Sequence, residues 1–451
     1  MRYVAKTLVV CLVAFTALSM AFQPTLTDYV LVYVSTFPLR LFDLLLVAAT
    51  AAFFFTVGLH PPVDASGSNR TALRLIGVFL LYQLLIVMPV AAILHDVSPG
   101  NAYTVLAARF ALIMIPFFYY VALRYVTPRR LITLVNAAAV LLLLYAIYRY
   151  VFIGPIGEYD YGVFRLRILW GGSTLLFGWI VVTGLFYERR GWLGYIMGVG
   201  GIVGIALVNH RSGYVALIFT LAFQLLLVLR LSKRVLAVVV AVLIIGVMMA
   251  WASPTFRDNV TYSLSTMFNA HSDLTAQDRV QRTQLAWEYL KTQPLGDYVW
   301  TQRFYLVDLG SEGFEPHNFV IQALDKQGWV SACLLFAAIG YVLWIGWMRR
   351  RASRLAAAMT TYLVFYLVFC LFNTTFESPE NVTLFTLSAA LILYANRQLA
   401  AAKETPAEVD AGTAPTDAGG PAGDTDPGDG GASALSAPAT RVSSSAPTGP
   451  A

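Results

Sequence analysis

Arg211 lies in the stretch Asn209-His210-Arg211-Ser212-Gly213, a short polar turn between two long apolar runs. A guanidinium there has two uses: it can snorkel to lipid headgroups, or it can point into a cavity at headgroup depth and hold a phosphate bidentately. Position alone does not choose between them. Arg279 and Arg282 are three residues apart, so a helix puts both on one face, and the plain reading is a solvated charged surface. His317 follows Pro316 at a helix-start signal. A lone histidine is more often structural than chemical, yet an imidazole near a helix N-terminus is biased to its neutral form, which suits a general base. Asp43 and Arg109 are charges inside apolar runs, which is costly unless they are paired or hydrated. They read either as an ion pair that fixes helix packing or as the polar lining of a substrate cavity.

The absent patterns narrow the chemistry. The sequence has no phosphate-binding Walker loop, no GxSxG, no HExxH and no paired-carboxylate metal motif, so ATP-driven and zinc-hydrolase chemistry are not expected. His95, His210, His271 and His317 are scattered without metal-ligand spacing. Cys11, Cys333 and Cys370 fall in hydrophobic runs, which supports neither a disulfide framework nor a cysteine metal site. No metal and no cofactor is expected.

The elements that must position these residues are set by composition. Of 451 residues 58% are hydrophobic and 12% charged, with a mean hydropathy of +0.66, far from ordinary soluble domains. Apolar runs long enough to cross about 30 Å of hydrocarbon recur along the chain. About twelve are expected, with cores at 7–22, 41–59, 73–95, 103–126, 131–153, 169–187, 192–208, 212–231, 235–251, 328–348, 355–373 and 381–397. The first could also be a cleavable signal peptide ending near Ser19-Met20-Ala21, although a retained helix is preferred. Alternate loops concentrate basic residues: Arg2 and Lys6, Arg70 and Arg74, Arg124 with Arg129 and Arg130, Arg189 and Arg190, Arg230 with Lys233 and Arg234, Arg349 to Arg351, then Arg397 and Lys403. By the positive-inside rule these loops and both termini are cytoplasmic. The net charge of +6 is explained by this topology, and nothing resembles a nucleic-acid motif.

The expected fold is therefore an all-α polytopic membrane protein. Spans one to nine occupy 1–251, a helical extracytoplasmic loop domain occupies 252–327, spans ten to twelve occupy 328–400, and a tail of Ala, Pro, Gly, Asp, Ser and Thr follows at 401–451. That tail carries too little apolar surface to fold and reads as a disordered cytoplasmic segment. Within the loop, Gln277 to Lys291 is expected to be helical, and a second helix is expected to start at Pro316.

Three segments in order resemble the O-antigen ligase and polymerase superfamily of bacterial membrane glycosyltransferases. Asn209-His210-Arg211-Ser212-Gly213-Tyr214 is similar to that family's arginine turn. Arg279 through Trp287 to Pro294-Leu295-Gly296 is similar to its loop pattern, and Pro316-His317-Asn318-Phe319-Val320-Ile321-Gln322 with Gly328 to its His-Asn helix start. The match covers about 200–345, and Pro294-Leu295-Gly296-Asp297-Tyr298 lacks the family's second glycine.

The resemblance implies a GT-C-type architecture and a metal-independent transferase of the bacterial inner membrane. Its donor would be an undecaprenyl-diphosphate-linked glycan and its acceptor a sugar hydroxyl of the lipid A core, on the periplasmic face. His317 is implied as the general base, with Arg211, Arg279 and Arg282 on the diphosphate and Arg109 a further candidate for substrate contact. A polymerase that extends a growing glycan, a protein-glycosylating relative and a transporter of the lipid-linked glycan are the alternatives. The short loop at about 154–168 favours the ligase over the polymerase.

Overall fold

The structure is a computed structural model that describes residues 1–22, 30–34, 37–59, 66–94, 99–154, 156–160, 163–188, 191–228, 274–292, 318–373, 376 and 378–404, with isolated positions between 236 and 261. The expected ninth span at 235–251 lies mostly outside these residues. So does the loop domain apart from one helix, and so do His317, Pro316 and the tail beyond Glu404.

Apolar segments become helices here because a backbone without water must satisfy its own polar groups. In order they are α1 (Arg2–Phe22), α2 (Leu41–Leu59), α3 (Gly67–Tyr82), α4 (Pro99–Phe110), α5 (Pro128–Tyr148), α6 (Ser173–Val182), α7 (Gly191–Val208), α8 (Arg211–Val228), α9 (Leu274–Thr292), α10 (Phe319–Arg349), α11 (Arg354–Leu371) and α12 (Pro379–Glu404). Three of them run on through π-helical turns, α3 at Gln83–Val87 and then Met88–Leu94, α5 at Arg149–Ile153 and α6 at Thr183–Tyr187. α4 continues to Tyr125 through a 3-10 turn and a π turn around Pro116, whose ring removes a helical hydrogen bond. Among the described residues eight helices are long and apolar enough to cross a membrane, with Ser173–Tyr187 a shorter apolar helix. The chain is a polytopic helical membrane protein.

Helix starts carry side-chain caps. Ser66, Thr127, Ser353 and Asn318 each accept a backbone N–H of the first turn they precede. The start expected at Pro316 is corrected by Asn318: its Oδ1 accepts from Val320 N at 2.9 Å and Ile321 N at 3.2 Å, so α10 begins at Phe319. The helix expected at Gln277 to Lys291 is longer, Leu274–Thr292. Two short antiparallel hairpins supplement the helices, Val30–Val34 with Phe37–Arg40 and Ile156–Asp160 with Val163–Arg167. Val30, Val32, Val34, Val163, Tyr33, Tyr159, Phe37 and Phe164 supply β-branched and aromatic side chains that favour strands.

α12 is the buried axis, with Leu387, Ala389, Leu391, Ile392 and Leu393 all inaccessible. α1 packs on α12, α5 and α2, burying Leu12, Val13 and Phe15. α6 and α7 approach closely because α7 offers glycines: a Cβ on Gly201 would come within 2.5 Å of Val181 Cγ2 and 2.7 Å of the Phe177 carbonyl. One end of the bundle is locked by Asn396, whose amide donates to Asn69 Oδ1 at 2.7 Å and to the Ser66 and Ser68 hydroxyls at 2.9 Å. Arg349 Nε donates to its Oδ1 at 2.7 Å, and Asn69 in turn donates to the Tyr119 hydroxyl and the Leu393 carbonyl. This joins α3, α4, α10 and α12 in one polar knot, with Asn69 and Asn396 buried at its centre. The His210-Arg211 turn lies at the opposite end of α11 from Ser353, away from this knot.

Candidate functional site

The Asn209-His210-Arg211 turn joins α7 to α8. Asn209 has φ 52°, a left-handed conformation that asparagine tolerates and that reverses the chain in two residues. His210 is buried and both its ring nitrogens are engaged. The Asn373 amide lies 3.3 Å from Nε2 and donates to it, which leaves Nδ1 protonated to bond the Ser212 hydroxyl at 2.6 Å. Phe369 packs on the ring at 5.6 Å, and a Cβ on Gly171 would stand 2.8 Å from its Cδ2. His210 therefore bolts the turn to the start of α6 and the end of α11. Arg211, half-buried, is held as the first residue of α8.

A second set of contacts converges on Phe376. Arg109, fully buried on α4, has its guanidinium carbon 5.9 Å from the centre of the Phe376 ring, a cation–π distance. Phe319, the first residue of α10, packs on the same ring at 4.4 Å in a tilted arrangement, and Tyr366 meets it edge-on at 6.1 Å. Tyr366 and Phe369 are three residues apart on α11 and so share a face. That face links Arg109 through Phe376 to the His210-Arg211 turn.

The first turns of α10 carry Gln322, Asp325, Lys326 and Gln327, all buried. Gln83, at the π turn of α3, donates to Gln327 Oε1 at 2.9 Å and bonds the Ser331 hydroxyl. Gly328 follows with φ 74° and ψ 169°, a break in the helix that only glycine takes without strain. α10 is thereby split into an entry segment, Phe319 to Gln327, and a membrane segment from Trp329. α9 reaches this break, since Trp287 packs on Trp329 with ring centres 5.8 Å apart while Ala286 and Leu290 are buried.

The sequence-expected residues thus divide. Arg109 is linked through Phe376 and α11 to His210, the neighbour of Arg211. Arg279 and Arg282 lie on α9, whose far end packs on α10, and their side chains are outside the described residues. His317 is also outside them, but Phe319, two residues on, sits against Phe376. Asp43 has different partners from the expected arginine: its carboxylate accepts from the Tyr103 hydroxyl at 2.8 Å and from Arg40 N at 2.8 Å. An intramembrane aspartate at a helix start can be satisfied by the chain just before it, and that local solution is the one taken. Gln83, Asp325 and Lys326 were the missed polar residues; as polar groups within or beside apolar runs they carried a readable signal. Phe376 carried none. No protein-family model matches this chain, and no curated protein matches it either.

Proposed function

We propose that this chain is a bacterial inner-membrane glycosyltransferase, with twelve spans, both termini cytoplasmic and residues 252–327 forming a periplasmic loop. It moves a glycan from undecaprenyl diphosphate to an acceptor sugar hydroxyl of the lipid A core, without metal or cofactor. The observation that carries the reading is the joint at Phe376, where buried Arg109 and the start of α10 meet on one ring, two residues after His317. A charge inside a membrane span is a functional candidate by default. The resemblance of the Arg211 turn and the His317-Asn318 helix start supports the same chemistry.

In this reaction the acceptor oxygen attacks the anomeric carbon and His317 takes the hydroxyl proton. The bond from that carbon to the diphosphate oxygen breaks, and the electron pair leaves with undecaprenyl diphosphate. Arg211, Arg279, Arg282 and Arg109 stabilise the charge that develops on the leaving group, the service a divalent cation gives elsewhere. Guanidinium groups suit it because their planar fork matches phosphate oxygens and keeps its charge.

The test is reconstitution. Purified protein in liposomes, given a lipid-linked glycan and lipid A core, should form the joined product in excess chelator. Movement of the donor between leaflets with no product would show a transporter, and elongation of the donor without acceptor would show a polymerase. Reporter fusions near Arg189 and Arg234 should read cytoplasmic and those near Asp96 and Glu312 periplasmic; the reverse pattern removes the proposed topology.

A further inference from the structure

A cavity of about 840 Å³ opens between α2, α3 and α4, well within the roughly 300–1,000 Å³ of small-molecule sites. Its walls are apolar, with Leu46 and Phe54 on α2, Leu73 and Leu84 on α3, and Tyr103 and Tyr120 at its two limits on α4. It is open sideways, because the lining residues Val47, Phe54 and Leu81 are 62%, 63% and 56% exposed. The space is unfilled by the protein: Gly77 lines it, and a Cβ built there meets nothing within 4 Å.

Its length selects an occupant. From Leu73 to Met88 the lining follows α3 for fifteen residues, roughly 22 Å at 1.5 Å per residue. A single leaflet is about half of the 30 Å hydrocarbon core. A phospholipid acyl chain ends near the midplane and leaves the far part of the cleft open, whereas a polyprenyl chain continues through it.

The Tyr103 end is polar. Tyr103 donates to Asp43, and Asp43 accepts from the backbone of Arg40. Arg40 is half-buried, and its Nε is buried with no hydrogen-bond partner among the described residues. Such an unmet donor is stabilised by an anionic acceptor. The opposite limit, at Tyr120, is within electrostatic reach of Arg70 and Arg397, but neither of these carries a buried unmet donor as Arg40 does.

We propose that this cleft seats the hydrocarbon chain of a polyprenyl lipid, which enters at the Tyr103 end, where Arg40 adds a positive charge to those of the arginines assigned to the diphosphate. The assignment rests on the transferase reading for the lipid's identity and adds where its tail lies. It gives α2 and α3 a substrate role, although neither carries any of the resemblance.

The experiment uses the full chain in nanodiscs with photoreactive undecaprenyl phosphate, and photoreactive phosphatidylethanolamine as the second probe. The polyprenyl probe should label peptides spanning 46–54 and 73–88, and unlabelled undecaprenyl phosphate should compete while phosphatidylethanolamine should not. Filling the cleft from either wall, by Gly77→Phe or Ala51→Leu, should abolish that label without lowering thermal stability. Equal labelling by both probes, or competition by phosphatidylethanolamine, means bulk lipid and overturns the assignment. So does full labelling of either filled variant that keeps its stability. Specific labelling by a protein that transfers no glycan sinks the transferase reading and leaves the cleft standing. Normal transfer by a stable Gly77→Phe variant does the opposite.

Discussion

Phe319 and Phe376 pack with ring centres 4.4 Å apart and planes tilted by 44°, and the guanidinium of Arg109 lies over that same Phe376 ring. The contact ties the start of α10 to a buried charge on α4, more than two hundred residues earlier in the chain. The start of α10 is held by the Asn318 cap and by this aromatic contact.

Replacing His317 by Ala is expected to reduce glycan transfer by about 10² to 10⁴, the range for loss of a general base. Donor binding should persist, because the proposed diphosphate contacts are the arginines. Transfer and donor-binding assays on the same purified variant check this. A variant that inserts normally and transfers at the wild-type rate rules out the assignment.

Arg211→Lys keeps the charge but loses the planar fork, so transfer should drop steeply while insertion is unchanged. Single-turnover rates with a lipid-linked donor give the answer. A fully active lysine variant returns Arg211 to headgroup snorkelling.

Gly328 sits at φ 74° and ψ 169°, so Gly328→Ala should destabilise the chain by about 1–3 kcal/mol. A lowered thermal midpoint in detergent is the expected readout. An unchanged midpoint would mean that the break between the two segments of α10 is not required.

Asn396→Leu leaves Asn69, Ser66, Ser68 and Arg349 without their shared partner. Asn69 is the buried one of these, and leaving its amide oxygen unmet costs about 1–3 kcal/mol, so the variant should be less stable. The knot lies at the end of the bundle away from Arg211, so any protein that does fold should keep donor affinity. A weakened donor affinity in folded protein would show that the two ends are coupled.

Membrane residence, most of the spans and the candidate charges were legible in the residue order, because each rests on local physics. A run of apolar side chains, a capping Asn318 and an arginine in hydrocarbon declare themselves without knowledge of any neighbour. Gly328 was visible as part of a motif, but its positive φ and its role in dividing α10 were not. Partner choice was not legible at all. Asp43 bonds Tyr103, Gln83 reaches Gln327, and Arg109 meets Phe376 across separations of 60, 244 and 267 residues. Inside a bilayer the core and the lipid are equally apolar, so a helix face bears no hydrophobic stripe to show which neighbour it will meet. Close packing resolves that ambiguity, through glycine contacts, aromatic stacks and buried amides that exist only once the helices have assembled. The cleft between α2 and α3 follows the same logic, since an unfilled space belongs to no single segment of the chain.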